Sequence, residues 1–210
     1  LETSDLTIRF GGHIAVDSVS CAFPKGELTA IVGPNGAGKT TYFNLISGQL
    51  KATSGAVRLG GEDITSLAVS RRTDLGLGRA FQLTNLFPNL TVHENVRLVI
   101  QARSGRGFNM FSLSASHLDL IRRTDEILER VRLSDLAQQP VTALSHGDQR
   151  KLEVALLLAL DPLVFMFDEP TAGMSVDEAP VILDLIRDIK ADPEKTILLV
   201  EHKMDVIRTL

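Results

Sequence analysis

Residues 33–40 read Gly-Pro-Asn-Gly-Ala-Gly-Lys-Thr, which fits the phosphate-loop pattern G-x-x-x-x-G-K-[S/T]. Glycines at 33, 36 and 38 let the backbone curl until successive N–H groups face one anion, and a helix starting there points its positive end at the same anion. Lys39 would reach the outer phosphates and the Thr40 hydroxyl would hold Mg²⁺. Asn35, Gly36, Ala37, Gly38, Lys39, Thr40 and Thr41 are thus candidate contacts to a nucleoside triphosphate. A second set of reactive groups, Asp168 and Glu169, follows the apolar run 163–167. Asp168 suits a Mg²⁺ contact, direct or through water, and Glu169 is placed to orient or deprotonate an attacking water. A third run, 196–200, ends in Glu201-His202, so His202 could reach a γ-phosphate or its water. Ser145 is a good helix N-cap, and Gly147 allows close backbone approach.

The surrounding pattern supplies elements to position these groups. The apolar stretch 28–32 leads into the phosphate loop as a buried strand, and residues 40–46 lead out with helical spacing ended by Gly48. Leu6, Ile8 and Phe10 alternate as a half-buried strand turned by Gly11-Gly12, and residues 57–64 form a hairpin around Gly60-Gly61. From about 92 to 131 helical spacing appears at Leu118, Ile121, Leu128 and Val131, with Glu126 and Arg130 as an i,i+4 pair and a Gly/Ser-rich loop at 104–116. A further helix, with Pro180 in its first turn, separates the strands at 163–167 and 196–200. Strands alternating with helices predict an α/β fold: a mostly parallel sheet flanked by helices, a small antiparallel β subdomain and an inserted helical lobe. The expected division is a nucleotide-binding core over about 1–82 and 141–210, with the lobe at about 83–140.

With 210 residues the chain can bury a core of its own. A net charge of −4 offers no basic footprint for nucleic acid, and Arg71-Arg72 and Arg122-Arg123 read as solvated helix faces. The single cysteine, Cys21, excludes an internal disulfide and reads as a small buried residue. The longest apolar stretch, 154–160, is too short to span a bilayer, so any work at a membrane needs a partner's membrane segments.

The phosphate loop, the Leu144-Ser145-His146-Gly147 segment, Asp168-Glu169 and His202 occur in the order and spacing of ABC transporter ATPase subunits, and the chain resembles that family throughout. The resemblance implies that Phe10 stacks on adenine with Val16 as an apolar neighbour. It implies that Gln82 touches Mg²⁺ and the attacking water, and that Ser145, His146 and Gly147 bind the γ-phosphate of ATP held by a second ATPase subunit. It further implies two membrane permease subunits docking on the joint and lobe after Gln82, a solute-binding protein upstream, and a peripheral place on the cytoplasmic face of the inner or plasma membrane.

Two departures narrow the resemblance. His146 and Asp148 replace a glycine and a glutamine of the commonest signature, and Ala172-Gly173-Met174-Ser175 lacks the usual aspartate. Both look like the branched-chain amino acid importers, while the urea and short-amide importers carry similar motifs. A soluble ABC ATPase is the alternative from another class, although such proteins usually carry a coiled-coil or zinc insertion or two ATPase domains. The chain ends soon after His202, where family members usually continue, so 206–210 reads as a truncated end.

Overall fold

A computed structural model describes residues 1–80, 86–104 and 115–210, with the side chains of 115–117 left aside. The described residues form two compact units. The first comprises 1–79, 162–169 and 187–210; the second comprises 80–161 and 170–186. The helix opened by Ser145 and residues 170–186 fall in the second unit together with residues 80–140.

The first unit carries two sheets. Strands β1 (Glu2–Phe10), β2 (His13–Ala22), β4 (Ser54–Leu59) and β5 (Glu62–Asp63) form an antiparallel sheet in the order β2-β1-β4-β5. Strands β3 (Leu28–Val32), β6 (Leu77–Arg79), β7 (Val164–Asp168) and β8 (Thr196–Glu201) form a parallel sheet in the order β3-β8-β7-β6. Both sheets and the hairpin at Leu59↔Glu62 match the expectation from alternation and glycine turns. The parallel register aligns Val32 with Glu201 and Asp168 with Val200. Because the chain leaves each parallel strand in the same direction, this register brings Gly33, Glu169 and His202 to the same carboxyl edge, where α/β sheets take ligands.

Two buried positions are corrected. Strand β3 is only half-buried, with Val32 50% exposed, because it is the outer strand of its sheet. Cys21 is exposed rather than buried, because β2 is likewise an outer strand whose residues are mostly exposed, with Val16 its one buried residue. The core of this unit packs Leu6, Ile8, Val16, Tyr42, Phe43 and Ile46 against Leu77, Val164, Met166 and Leu198. Helix α1 (Lys39–Ser47) ends at Gly48 in the left-handed region, as expected for a C-cap glycine.

Arg72, in helix α2 (Val69–Asp74), is buried and not solvated. Its guanidinium donates to the carbonyls of Leu45 at 2.8 Å, Ile46 at 2.6 Å and Thr65 at 2.7 Å, answering the unsatisfied C-terminal carbonyls of α1.

The second unit is helical. Helix α3 (Val92–Arg103) opens with a capping box between Thr91 and Glu94, and α4 (Ala115–Arg130) and α5 (His146–Leu160) pack with it over Val96, Ile100, Leu128 and Leu152. Leu118, expected on the apolar face, is 68% exposed. Glu126 is held at 2.8 Å by Arg122 rather than by Arg130, since both spacings place a partner on the same helix face. Helix α6 (Ala179–Lys190), which begins in the second unit and ends in the first, buries Ile182, Leu185, Ile186 and Ile189 as its periodicity predicts, and in the first unit α7 (Met204–Thr209) follows β8.

Candidate functional site

In the first unit, Gly36 and Gly38 both take φ 81°, a left-handed conformation that side chains resist, and a Cβ on Gly38 would run into the Ala15 carbonyl. Gly38 is the N-cap of α1 and supplies no side-chain hydrogen bond, and no acid lies in the first turn. The leading N–H groups and dipole of α1 thus remain without a side-chain counterpart. A cavity of about 450 Å³ opens there, lined by His13, Ala15, Asn35, the loop residues through Thr41, and Glu169.

Lys39 is nearly buried and donates to the carbonyls of Gly33 at 2.7 Å and Pro34 at 2.9 Å. These are neutral acceptors, so an incoming phosphate offers the ammonium a stronger, charge-assisted partner. Thr40 Oγ1 lies 3.4 Å from Asp168 Oδ1, an oxygen pair suited to a hard cation that keeps most of its water. Among the described residues no group of three or more His, Cys, Asp or Glu is placed as a metal cage.

Glu169 carries φ 50° and donates its N–H to the Val200 carbonyl at 3.0 Å, so the backbone turns sharply as it leaves β7. His202 Nδ1 stands 3.3 Å from Glu169 Oε1, with both side chains about a third exposed. Buried Glu201 accepts from the N–H groups of His202 at 3.1 Å and Lys203 at 3.3 Å, which fixes the chain direction after β8.

Phe10 is 51% exposed at the turn that leads into cavity-lining His13. Val16 is 6% exposed within the core cluster, with its Cγ2 beside Gly38 of the phosphate loop, and neighbouring Ala15 lines the cavity. Gln82 lies outside the described residues, as do Leu83 and most of the 104–116 loop.

The second unit holds the remaining sequence candidates. Ser145 caps α5 by accepting from the Asp148 N–H at 3.1 Å and donating its hydroxyl to Asp148 Oδ2 at 2.7 Å. Lys151, itself nearly buried, lies 2.9 Å from Asp148 and 3.5 Å from Glu178. Glu178 in turn accepts from the Ser175 hydroxyl at 2.9 Å and its N–H at 3.2 Å. Burial alone would raise the Asp148 carboxyl, but hydrogen bonds from Lys151 and Ser145 outweigh it and hold the group below its usual range. Hydrogen bonds from Ser175 hold Glu178 low as well. The carboxylate of Glu178 closes over Gly147, where any Cβ would collide with it, so that glycine leaves room for a side chain. His146 is exposed.

Sequence reading missed Lys151, Glu178 and Arg79. Lys151 falls three residues after Asp148 on one helix face, a spacing that points to pairing; nothing local marks Arg79 as buried.

The ABC transporter family profile matches residues 16–172. The chain belongs to the ABC transporter family. It is 34% identical over its whole length to the high-affinity branched-chain amino acid transport ATP-binding protein BraF of Pseudomonas aeruginosa, covering 84% of that protein. The corresponding LivG protein of Escherichia coli is also 34% identical, over 99% of this chain and 83% of its own. Among solved structures, the ATP-binding cassette MJ0796, dimeric and bound to ADP and Pi in a post-hydrolysis state, is 27% identical with a TM-score of 0.83, over 99% of this chain and 90% of that one. The ABC ATPase fold thus accounts for the parallel sheet, the phosphate loop at its edge and the helical second unit.

Proposed function

We propose that this ABC ATPase energises an importer and that branched-chain amino acids are its cargo. One conjunction carries the reading. An uncapped helix N-terminus and a Glu169–His202 pair share a sheet edge, in a chain 34% identical over its full length to branched-chain amino acid transport ATP-binding proteins. ATP phosphates would rest on the N–H groups of residues 36–41, and Lys39 would exchange its loop carbonyls for phosphate oxygens. Phe10, half exposed beside the cavity turn, would stack on adenine.

Mg²⁺ held through Thr40, Asp168 and Gln82 would withdraw charge from the transferring phosphate. Glu169 would take a proton from the attacking water, and His202 would steady that carboxylate and the γ-phosphate. Ser145, His146 and Gly147 would face the nucleotide of a second ATPase subunit, adding a helix N-terminus to the open side of the triphosphate. Hydrolysis removes the group both subunits hold, so they part. Two membrane permease subunits would dock on the lobe, where Phe87 is 55% exposed, and a solute-binding protein would deliver cargo from outside. Among the described residues no helix is long and apolar enough to cross a membrane; a peripheral place on the cytoplasmic face rests on the docking to permeases proposed above. The charge of −4 argues against nucleic acid as a partner.

The test begins with the purified protein and Mg²⁺-ATP. Glu169→Gln should keep nucleotide binding, promote dimers and lose about a hundredfold or more of turnover; wild-type turnover in that variant refutes the assignment of the base. Cargo is decided by what co-purifies from solubilised membranes. Two permease chains and leucine-stimulated ATPase activity in the reconstituted complex support the reading, stimulation by urea or short amides reassigns the cargo, and exclusively soluble partners overturn import.

A further inference from the structure

Arg79 ends β6 and the first of the chain segments that make up the first unit. Its side chain is 4% exposed, yet it carries a full charge next to the carboxylate that the proposed function assigns to the metal. Nη2 donates to Asp168 Oδ2 at 2.9 Å. Nη1 donates to Asn44 Oδ1 at 2.7 Å and Ser47 Oγ at 3.1 Å, both on α1. The guanidinium carbon lies 5.3 Å from the centroid of the Phe43 ring. Nε is buried with no hydrogen-bond partner among the described residues, and burial lowers the guanidinium's pKa while Asp168 opposes that shift.

A buried ion pair with an orphaned donor is a poor device for stability, because desolvation offsets most of the attraction. Stability alone therefore gives little reason to place an arginine here. What the arrangement does is divide the two oxygens of Asp168. Oδ2 is committed to Arg79, and Oδ1 is left facing Thr40 Oγ1 at 3.4 Å. Mg²⁺ demands near-octahedral geometry and is poorly served by a carboxylate that chelates through both oxygens. The planar fork of arginine can hold an α1 amide and a β7 carboxylate together, whereas a lysine ammonium holds them only as a point charge.

Resting on the assignment of Asp168 to the metal, we propose that Arg79 is a positioning residue. It ties back one oxygen of Asp168 so that the other meets the cation singly, and it locks the phosphate-loop helix to the strand that carries the acid. Outer partners of metal-binding carboxylates typically govern about 10- to 100-fold in metal affinity. Binding of a fluorescent ATP analogue to the intact protein, titrated with and without Mg²⁺, separates this role from a structural one. Mn²⁺ followed by electron paramagnetic resonance counts the metal directly.

Arg79→Met should leave metal-free nucleotide affinity within about twofold and weaken the metal-dependent gain and Mn²⁺ affinity by about tenfold or more. Arg79→Lys should recover part of the loss. Asn44→Ala, which keeps the charge and removes its brace, should shift metal affinity in the same direction by a smaller factor and serves if Arg79→Met fails to fold. An unchanged metal response in Arg79→Met, or in Asn44→Ala where the former does not fold, overturns the proposal. So does equal loss of metal-free and metal-dependent binding in either soluble variant. A wild-type protein that binds nucleotide with no response to Mg²⁺ removes the assignment of Asp168 itself, and the inference about Arg79 with it.

Discussion

Helices α1 and α5 begin in opposite ways. Gly38 caps α1 with no side chain, no acid follows in the first turn, and Lys39 adds a positive charge. Ser145 caps α5 with its hydroxyl, Asp148 follows in the first turn, and Lys151 and Glu178 extend the network. The first terminus leaves its donors and dipole to whatever anion enters the cavity. The second is answered from within its own unit before any ligand arrives. Within one subunit, the helix end that takes the anion is therefore the one from which the chain withholds side-chain partners, whereas the α5 end, partly answered by Ser145 and Asp148, is proposed to meet a phosphate only from a second subunit.

The comparison is tested most severely by removing the lysine of each helix. Lys39→Ala should weaken ATP binding by about a hundredfold, the scale of losing one well-placed donor to an anionic centre. Lys151→Ala should leave the affinity of the isolated subunit within about twofold. Equilibrium titration of nucleotide decides it, and an equal loss in both variants would erase the distinction.

Glycine replacements sharpen the point. Gly38→Ala combines a φ of 81° with a collision against backbone, and should destabilise the protein by about 1–3 kcal/mol in chemical denaturation. Gly147→Ala meets only the movable end of Glu178, so its cost should be smaller, about 1 kcal/mol, and most of it should vanish in the double variant with Glu178→Ala. A coupling energy near zero in that cycle would mean the Glu178 carboxylate does not close over the α5 terminus.

The smallest effect concerns pH. Asp148 has a folded-state pKa below the ordinary 3.8, so its stabilising contribution is complete above that value and is lost as pH falls through the depressed one. The stability difference between wild type and Asp148→Asn should therefore be steady near neutrality and narrow only on acidification. A gap that stays unchanged on acidification would contradict a carboxyl held low by Lys151 and Ser145.

The local devices were legible in the sequence. The phosphate loop, the Gly60-Gly61 hairpin, the cap at Ser145 and the acids at the end of β7 each rest on chemistry contained within a few neighbouring residues. What could not be read depends on partners far along the chain. Arg79 meets Asp168 across 89 positions and Arg72 meets Leu45 across 27, so no periodicity marks either arginine as buried. Cys21 and β3 were misplaced for a related reason, since composition shows that a strand is apolar but not whether it lies at the outside of its sheet. The order β3-β8-β7-β6 is a property of long-range pairing. Val16 and Phe10 share one strand pair yet differ in exposure, 6% against 51%, because only the turn end of that pair leaves the core.

The left-handed backbone at Glu169 has a consequence for how such a chain evolves. Glycine would occupy that conformation without strain, whereas a glutamate there carries a penalty on the order of 1 kcal/mol. With Glu169 as the base proposed above, selection for turnover and selection for a durable fold would pull against each other at a single codon. A lineage released from the need to hydrolyse ATP would drift early at position 169, and would melt at a higher temperature as it lost its chemistry.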